Sequence, residues 1–243
     1  MSRGRLWRWV LLPALGVAVI VVLARWPVQT RQGVDFAVST STLPLYVKAL
    51  EFVQRDAGYR RLALGIAGDR TSGEARTLAV FEWTRENIRD TPEGFPIVDD
   101  HVWHIIVRGY GEDDQKADVF TTLATYAGAP SYWALSTDAS HELPLSFSWI
   151  DRRWIVFDVA NGLAFRNARG GLAAAEEIAA DPQIVAGLAA GRVYRDRPYA
   201  AYFEGFQPPI PSEVLRPEMQ MLWPRVMYRA KRMVGFGRRE WER

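Results

Sequence analysis

Cysteine is absent from the 243 residues. That absence excludes disulfides, thiolate metal sites and thiol catalysis at once, while identifying no compartment. Histidine is scarce, with three in the chain, so imidazole proton transfer has few places to occur. A large excess of one charge sign is also missing. The formal net charge is +2, and nothing global argues for nucleic acid as a partner. No glycine-rich nucleotide loop and no internal repeat occurs, and no cofactor is expected. What is present is 49% hydrophobic and 24% charged residues, the balance of a globular domain. The length suits one sizeable domain with appendages.

One long apolar run stands out. Leu6 to Ala24 is interrupted only by Arg8. At helical rise it falls a little short of a hydrocarbon core of about 30 Å, and Arg8 can snorkel to the edge. Arg3, Arg5 and Arg8 precede or open the run, and Trp7, Trp9 and Trp26 mark its two ends. The positive-inside rule then places the N-terminus in the cytoplasm. No good small-residue cleavage site follows, so residues 1–26 read as an uncleaved transmembrane signal anchor. Residues 27–44 are polar and read as an extended linker. The expected location is a bacterial-type inner membrane, single-pass, with the main domain periplasmic.

The chemistry, if any, sits between Gly109 and Gly162. Gly109-Tyr110-Gly111 delivers the chain onto a helix whose Ala117, Phe120, Leu123 and Ala124 recur at helical spacing. Gly128-Ala129-Pro130 ends that helix, and Tyr132 to Leu135 can begin a strand. Phe147 to Trp149 and Trp154 to Phe157 flank the charged turn Asp151-Arg152-Arg153, which predicts a hairpin. Asp158 and an Asn-Gly pair close it.

This order of Gly109, Tyr110, Gly111, Asp114, Gln115, Ala117, Ala127, Gly128, Asp151, Trp154 and Asp158 resembles the transglutaminase-like domain of the papain-type superfamily. The resemblance covers Glu74 to Gly162. It implies an α+β fold with helices packed on a small antiparallel sheet. It also implies a Cys opening the helix, a His on the next strand and an Asp after a Trp-containing strand. In this chain the Cys position is Asp113 and the His position is Leu143; the orienting acid, Asp158, is kept. His141 lies two residues before Leu143, on the same strand face but out of register.

A carboxylate at Asp113 ionises readily at a helix N-terminus but is a poor acyl-transfer nucleophile, and Leu143 cannot move a proton. Asp113 therefore reads as a helix N-cap or first-turn acid. Asp158 is either a cleft acceptor or an exposed turn carboxylate satisfying its own backbone. His101, Trp103 and His141 are candidates to line a remnant cleft. His101 and His104, with Asp99 and Asp100 nearby, make an incomplete ligand set for a metal. Trp103, Trp133 and Trp149 are candidates to line a peptide- or glycan-binding cleft.

Elsewhere, Leu45 to Ala57 predicts a modest amphipathic helix and Gly58 to Gly73 an irregular stretch with a short strand at Arg61 to Ile66. Glu74 to Arg89 predicts a helix capped by Thr71-Ser72-Gly73. Leu172 to Ala180 and Gln183 to Ala190 predict a helical pair that completes a domain over residues 45–193. Residues 194–243 hold a Pro/aromatic arm, which either lies on another surface or wraps its own domain. A basic tail follows, in which Arg225, Arg229, Lys231 and Arg232 surround an apolar stripe, suited to a lipid bilayer or a partner protein. The whole predicts a non-catalytic, membrane-anchored accessory subunit, with other membrane proteins of an energy-transducing or envelope-assembly complex as partners. The alternative is a hydrolase or transferase, or a peptide- or glycan-binding module, using the cleft around Asp113, His141 and Asp158.

Overall fold

The computed structural model describes residues 3–34, 37–95, 97, 101–136 and 142–234. His141, Asp99 and Asp100 lie outside the described residues. The chain is a mixed α+β molecule built on small antiparallel sheets. Helix α1 (Arg3–Ala24) leads into a hairpin of β1 (Pro27–Val34) and β2 (Ala37–Pro44). Then come α2 (Leu45–Ala67), α3 (Gly73–Asn87), α4 (Val102–Arg108) and α5 (Asp113–Tyr126). A four-stranded sheet follows from β3 (Ser131–Leu135), β4 (Pro144–Ile150), β5 (Arg153–Asp158) and β6 (Leu163–Ala164), in sequential order. Helices α6 (Ala175–Ala180) and α7 (Gln183–Ala189), the short pair β7 (Val193–Tyr194) and β8 (Arg197–Pro198), and α8 (Leu222–Val234) complete the chain.

The central strands β4 and β5 are buried on both faces. Strand alternation assigns the faces. Ile150, Ile155 and Phe157 join a core with α2, α3, α4 and α5. Leu145, Phe147, Trp154 and Val156 join a second core with α6, α7 and the arm. Ser146 and Ser148 stand on the strand face shared with Ile150 and are fully buried. Their small side chains let α5 approach the sheet closely. The hairpin turn is Asp151-Arg152, both in the left-handed region at φ 49° and 62°, the twist that a two-residue hairpin loop requires.

Three expectations are corrected. Among the described residues no helix is long and apolar enough to cross a membrane, which overturns the single-pass inner-membrane placement. Helix α1 carries Pro13 within it. Residues 27–44 are not an extended linker but a hairpin in register from Pro27–Pro44 to Val34–Ala37; Lys48 of α2 donates to the Gln29 carbonyl at 2.6 Å. Helix α2 does not stop at Ala57, and no strand forms at Arg61 to Ile66. At Gly58 the helix packs on Trp103: a Cβ there would come within 2.6 Å of the indole ring. That glycine serves close packing, not a helix end.

Candidate functional site

Two turns and a cap aim the start of α5. Gly109 ends α4 in the left-handed conformation at φ 73°, and Arg89 and Tyr110 form a parallel bridge just after it. Gln115 Oε1 accepts from the Glu112 N–H at 3.1 Å and from Arg108 at 2.9 Å. Gly111 is required beside it, since a Cβ would stand 2.8 Å from that oxygen. Glu112 is the N-cap residue, so Asp113 is a first-turn acid, one of the two readings its sequence position allowed. Lys116, one turn on and buried, pairs with Asp90 and lies 3.6 Å from Asp113.

Asp113 and Asp158 come together, and each is met by a tyrosine from the arm. Tyr194 Oη donates to Asp113 Oδ2 at 2.5 Å. Tyr199 Oη donates to Asp158 Oδ2 at 2.5 Å. Asp158 has no solvent exposure, so it is not the exposed turn carboxylate. It also accepts from the Asn161 N–H at 2.9 Å and from Asn161 Nδ2 at 2.8 Å. Burial pushes the Asp158 carboxyl above its usual range despite those three donations, and Asp113 nearby adds in the same direction. Burial and the facing carboxylates likewise raise both tyrosines, so both are proton-bearing donors at neutral pH.

Leu143 is fully buried in the same core cluster as Tyr194, Tyr199 and Tyr202. Its backbone carbonyl accepts from Ser136, and its side chain is a packing group. Each of the two acids is thus bound by a tyrosine of the chain itself. Sequence reasoning missed Tyr194 and Tyr199. The run of Tyr194, Tyr199, Tyr202, Phe203 and Phe206 signalled an aromatic arm, but spacing along the arm does not say which hydroxyl meets which carboxylate.

The other candidates do not join this site. His101 stands at the N-cap position of α4 with no side-chain cap bond, and its Nδ1 lies 3.3 Å from Tyr59 Oη. Its ring is 6.4 Å from that of His104. Burial, followed by Arg55, His104 and Arg216, lowers its pKa to about 4, which keeps the ring neutral at pH 7. Among the described residues no three of His, Asp and Glu gather as a metal-ligand set. Trp103 lines a different concavity of about 870 Å³ between α2, α3 and α4, with Trp83, Leu62, Ile66, Gly58 and Ile106; neither Asp113 nor Asp158 lines it. Trp133 Nε1 donates to Asp118 at 2.7 Å, while Trp149 packs on Trp154 with ring centroids 5.0 Å apart. The three tryptophans form no common cleft. Arg225, Arg229, Lys231 and Arg232 all lie on α8.

No family model matches the chain, and no curated protein matches it. Two solved structures are similar to it. One is a candidate cysteine protease from Cytophaga hutchinsonii, 16% identical, TM-score 0.38, covering 48% of this chain and 40% of that one. The other is a candidate protease from Parabacteroides distasonis, 9% identical, TM-score 0.34, covering 54% of this chain and 35% of that one. The chain spans less than half the length of either.

Proposed function

We propose that this chain is a non-catalytic domain of transglutaminase-like architecture that serves as an accessory subunit to a partner protein. The observation that carries the reading is the pair of tyrosine–carboxylate bonds. Tyr194 and Tyr199 each hold one of the two carboxylates, Asp113 and Asp158, that a substrate would have to meet. A nucleophile must be deprotonated, exposed and served by a base. Asp113 is tied to Tyr194 and Lys116, Leu143 offers no proton acceptor, and Asp158 is sealed. Such a site stores packing and hydrogen-bond energy in the fold and leaves the outer surface for binding.

The test is an assay of the purified full-length chain against peptide, ester and amine-incorporation substrates, alongside Asp113→Asn. No turnover above buffer in either protein is expected. Turnover that Asp113→Asn abolishes while the fold persists would sink the non-catalytic reading. The accessory role is checked by cross-linking in the native cell and mass spectrometry. A stoichiometric partner protein is expected, and recovery of the chain alone overturns it.

A further inference from the structure

Helix α8 is mounted with its polar side against the body. Trp223, Val226, Met227, Ala230 and Met233 recur at helical spacing and form one wide face. In a globular domain that face would be buried. Here Trp223 is 69% exposed, Val226 46%, Met227 51% and Met233 83%. The opposite side makes the attachment: the Arg225 guanidinium lies 4.9 Å over the Phe52 ring of α2, and Arg225 and Tyr228 are half-buried. Cations border the apolar face. On the helical wheel Arg229 falls at one edge and Lys231 at the other, with Arg232 further round; all three are exposed. No acidic residue occurs between Leu222 and Val234.

We propose that α8 lies flat on an anionic lipid surface, inserting Trp223, Val226, Met227 and Met233 while Arg229, Lys231 and Arg232 meet the phosphate headgroups. A basic helix with a broad apolar face, carried outward on a folded body, suits the plane of a lipid interface. Headgroup charge then adds attraction for each cation at the border. A second copy of the chain is a poor occupant, because two such faces would bring like charges edge to edge. A coiled-coil seam would use a narrower stripe. Lying on a surface requires no crossing helix.

The absence of cysteine gives a clean test. Met233→Cys introduces a single thiol, which takes an environment-sensitive fluorophore at an exposed position. The labelled full-length chain is mixed with vesicles of equimolar phosphatidylglycerol and phosphatidylcholine, or of phosphatidylcholine alone. Expected are a blue shift and quenching by spin-labelled lipid on the anionic vesicles only, and neither at a label placed through Glu204→Cys. The double variant Arg229→Glu/Lys231→Glu should lower partitioning at least tenfold, with helicity unchanged by circular dichroism. The readout is local, so adsorption through the exposed Leu11 to Leu23 side chains leaves it unmoved. A Met233 label that stays in water on both vesicles overturns the proposal and leaves an acidic groove on a protein as the occupant. An equal response to neutral vesicles overturns it as well.

Discussion

The hydroxyl of Tyr199 is the pivotal atom of the buried acid site. It is one of three donors to a carboxylate that has no solvent exposure. Replacing it with Phe keeps the ring and its packing on Phe203, whose centroid is 5.6 Å away, and removes only the donor. A buried acceptor left short of a partner costs about 1–3 kcal/mol. Tyr199→Phe should therefore lower the urea midpoint by that equivalent with an unchanged slope. Tyr194→Phe, facing the partly exposed Asp113, should cost less. His101 supplies a pH signature. Its folded pKa, about 4, lies below the ordinary 6.5, so the native state binds fewer protons than the unfolded one between those values. Stability from this group is full above pH 6.5 and is lost as pH falls toward 4. In His101→Gln the fall in thermal midpoint between pH 6.5 and 4 should be shallower; an identical profile would refute the neutral, buried ring. The residues that carried the family resemblance have local work to do here. Gly109 holds a left-handed turn, Gly111 clears Gln115, and Gln115 caps α5. Such short-range steric demands are legible in a sequence because both parties lie within a few residues of each other.

Elements show the same divide. The capped helix α3, the apolar face of α5 and the β4–β5 hairpin follow from periodicity and turn chemistry. Ser72 accepts from the Ala75 N–H at 3.1 Å, as its position at a helix start suggests. Helix α2 is the element that local signals misplace. Gly58 looks like a stop, yet its reason lies forty-odd residues on, in the ring of Trp103, which stands edge-on to Tyr59 at 5.2 Å. Gly65, one further turn-pair along, meets nothing within 4 Å. The two glycines should therefore respond oppositely to the same substitution. Gly65→Ala removes the helix penalty of glycine and should stabilise by roughly 0.5–1 kcal/mol. Gly58→Ala gains the same propensity but drives a methyl into the indole, and should destabilise by about 1–3 kcal/mol. Chemical denaturation of the two variants checks both signs, and a shared sign would mean that the Trp103 contact does not govern α2.

At the scale of the whole molecule the arm decides whether there is one core or two. Tyr199, Tyr202, Phe203, Phe206 and Leu215 are buried against Leu143, Leu145, Phe147 and Phe165. Tyr132 Oη reaches the Pro209 carbonyl at 2.6 Å. Arg216 meets Asp118 at 2.7 Å, and Tyr126 Oη meets the Gln220 carbonyl at 2.9 Å. Proline and aromatic content alone left open whether the arm wraps its own domain or another surface. The choice depends on long-range partners, above all on the unmatched apolar face of the sheet that β4 and β5 leave behind. Once that face exists, burying it with the chain's own tyrosines costs less than exposing it. The consequence is a sharp asymmetry in truncation. Ending the chain after residue 221 removes α8, which touches the body mainly through Phe52 and the preceding turn, and should leave a cooperative transition within a few degrees of the full chain. Ending it after residue 193 removes the arm from one side of the sheet, opens Asp158 to solvent and leaves Asp113 with Lys116 alone. That shorter chain should lose its cooperative unfolding transition and bind a hydrophobic dye. If it instead unfolded cooperatively near the temperature of the longer one, the second core would contribute little, and the two tyrosine–carboxylate bonds could not be what holds the arm in place.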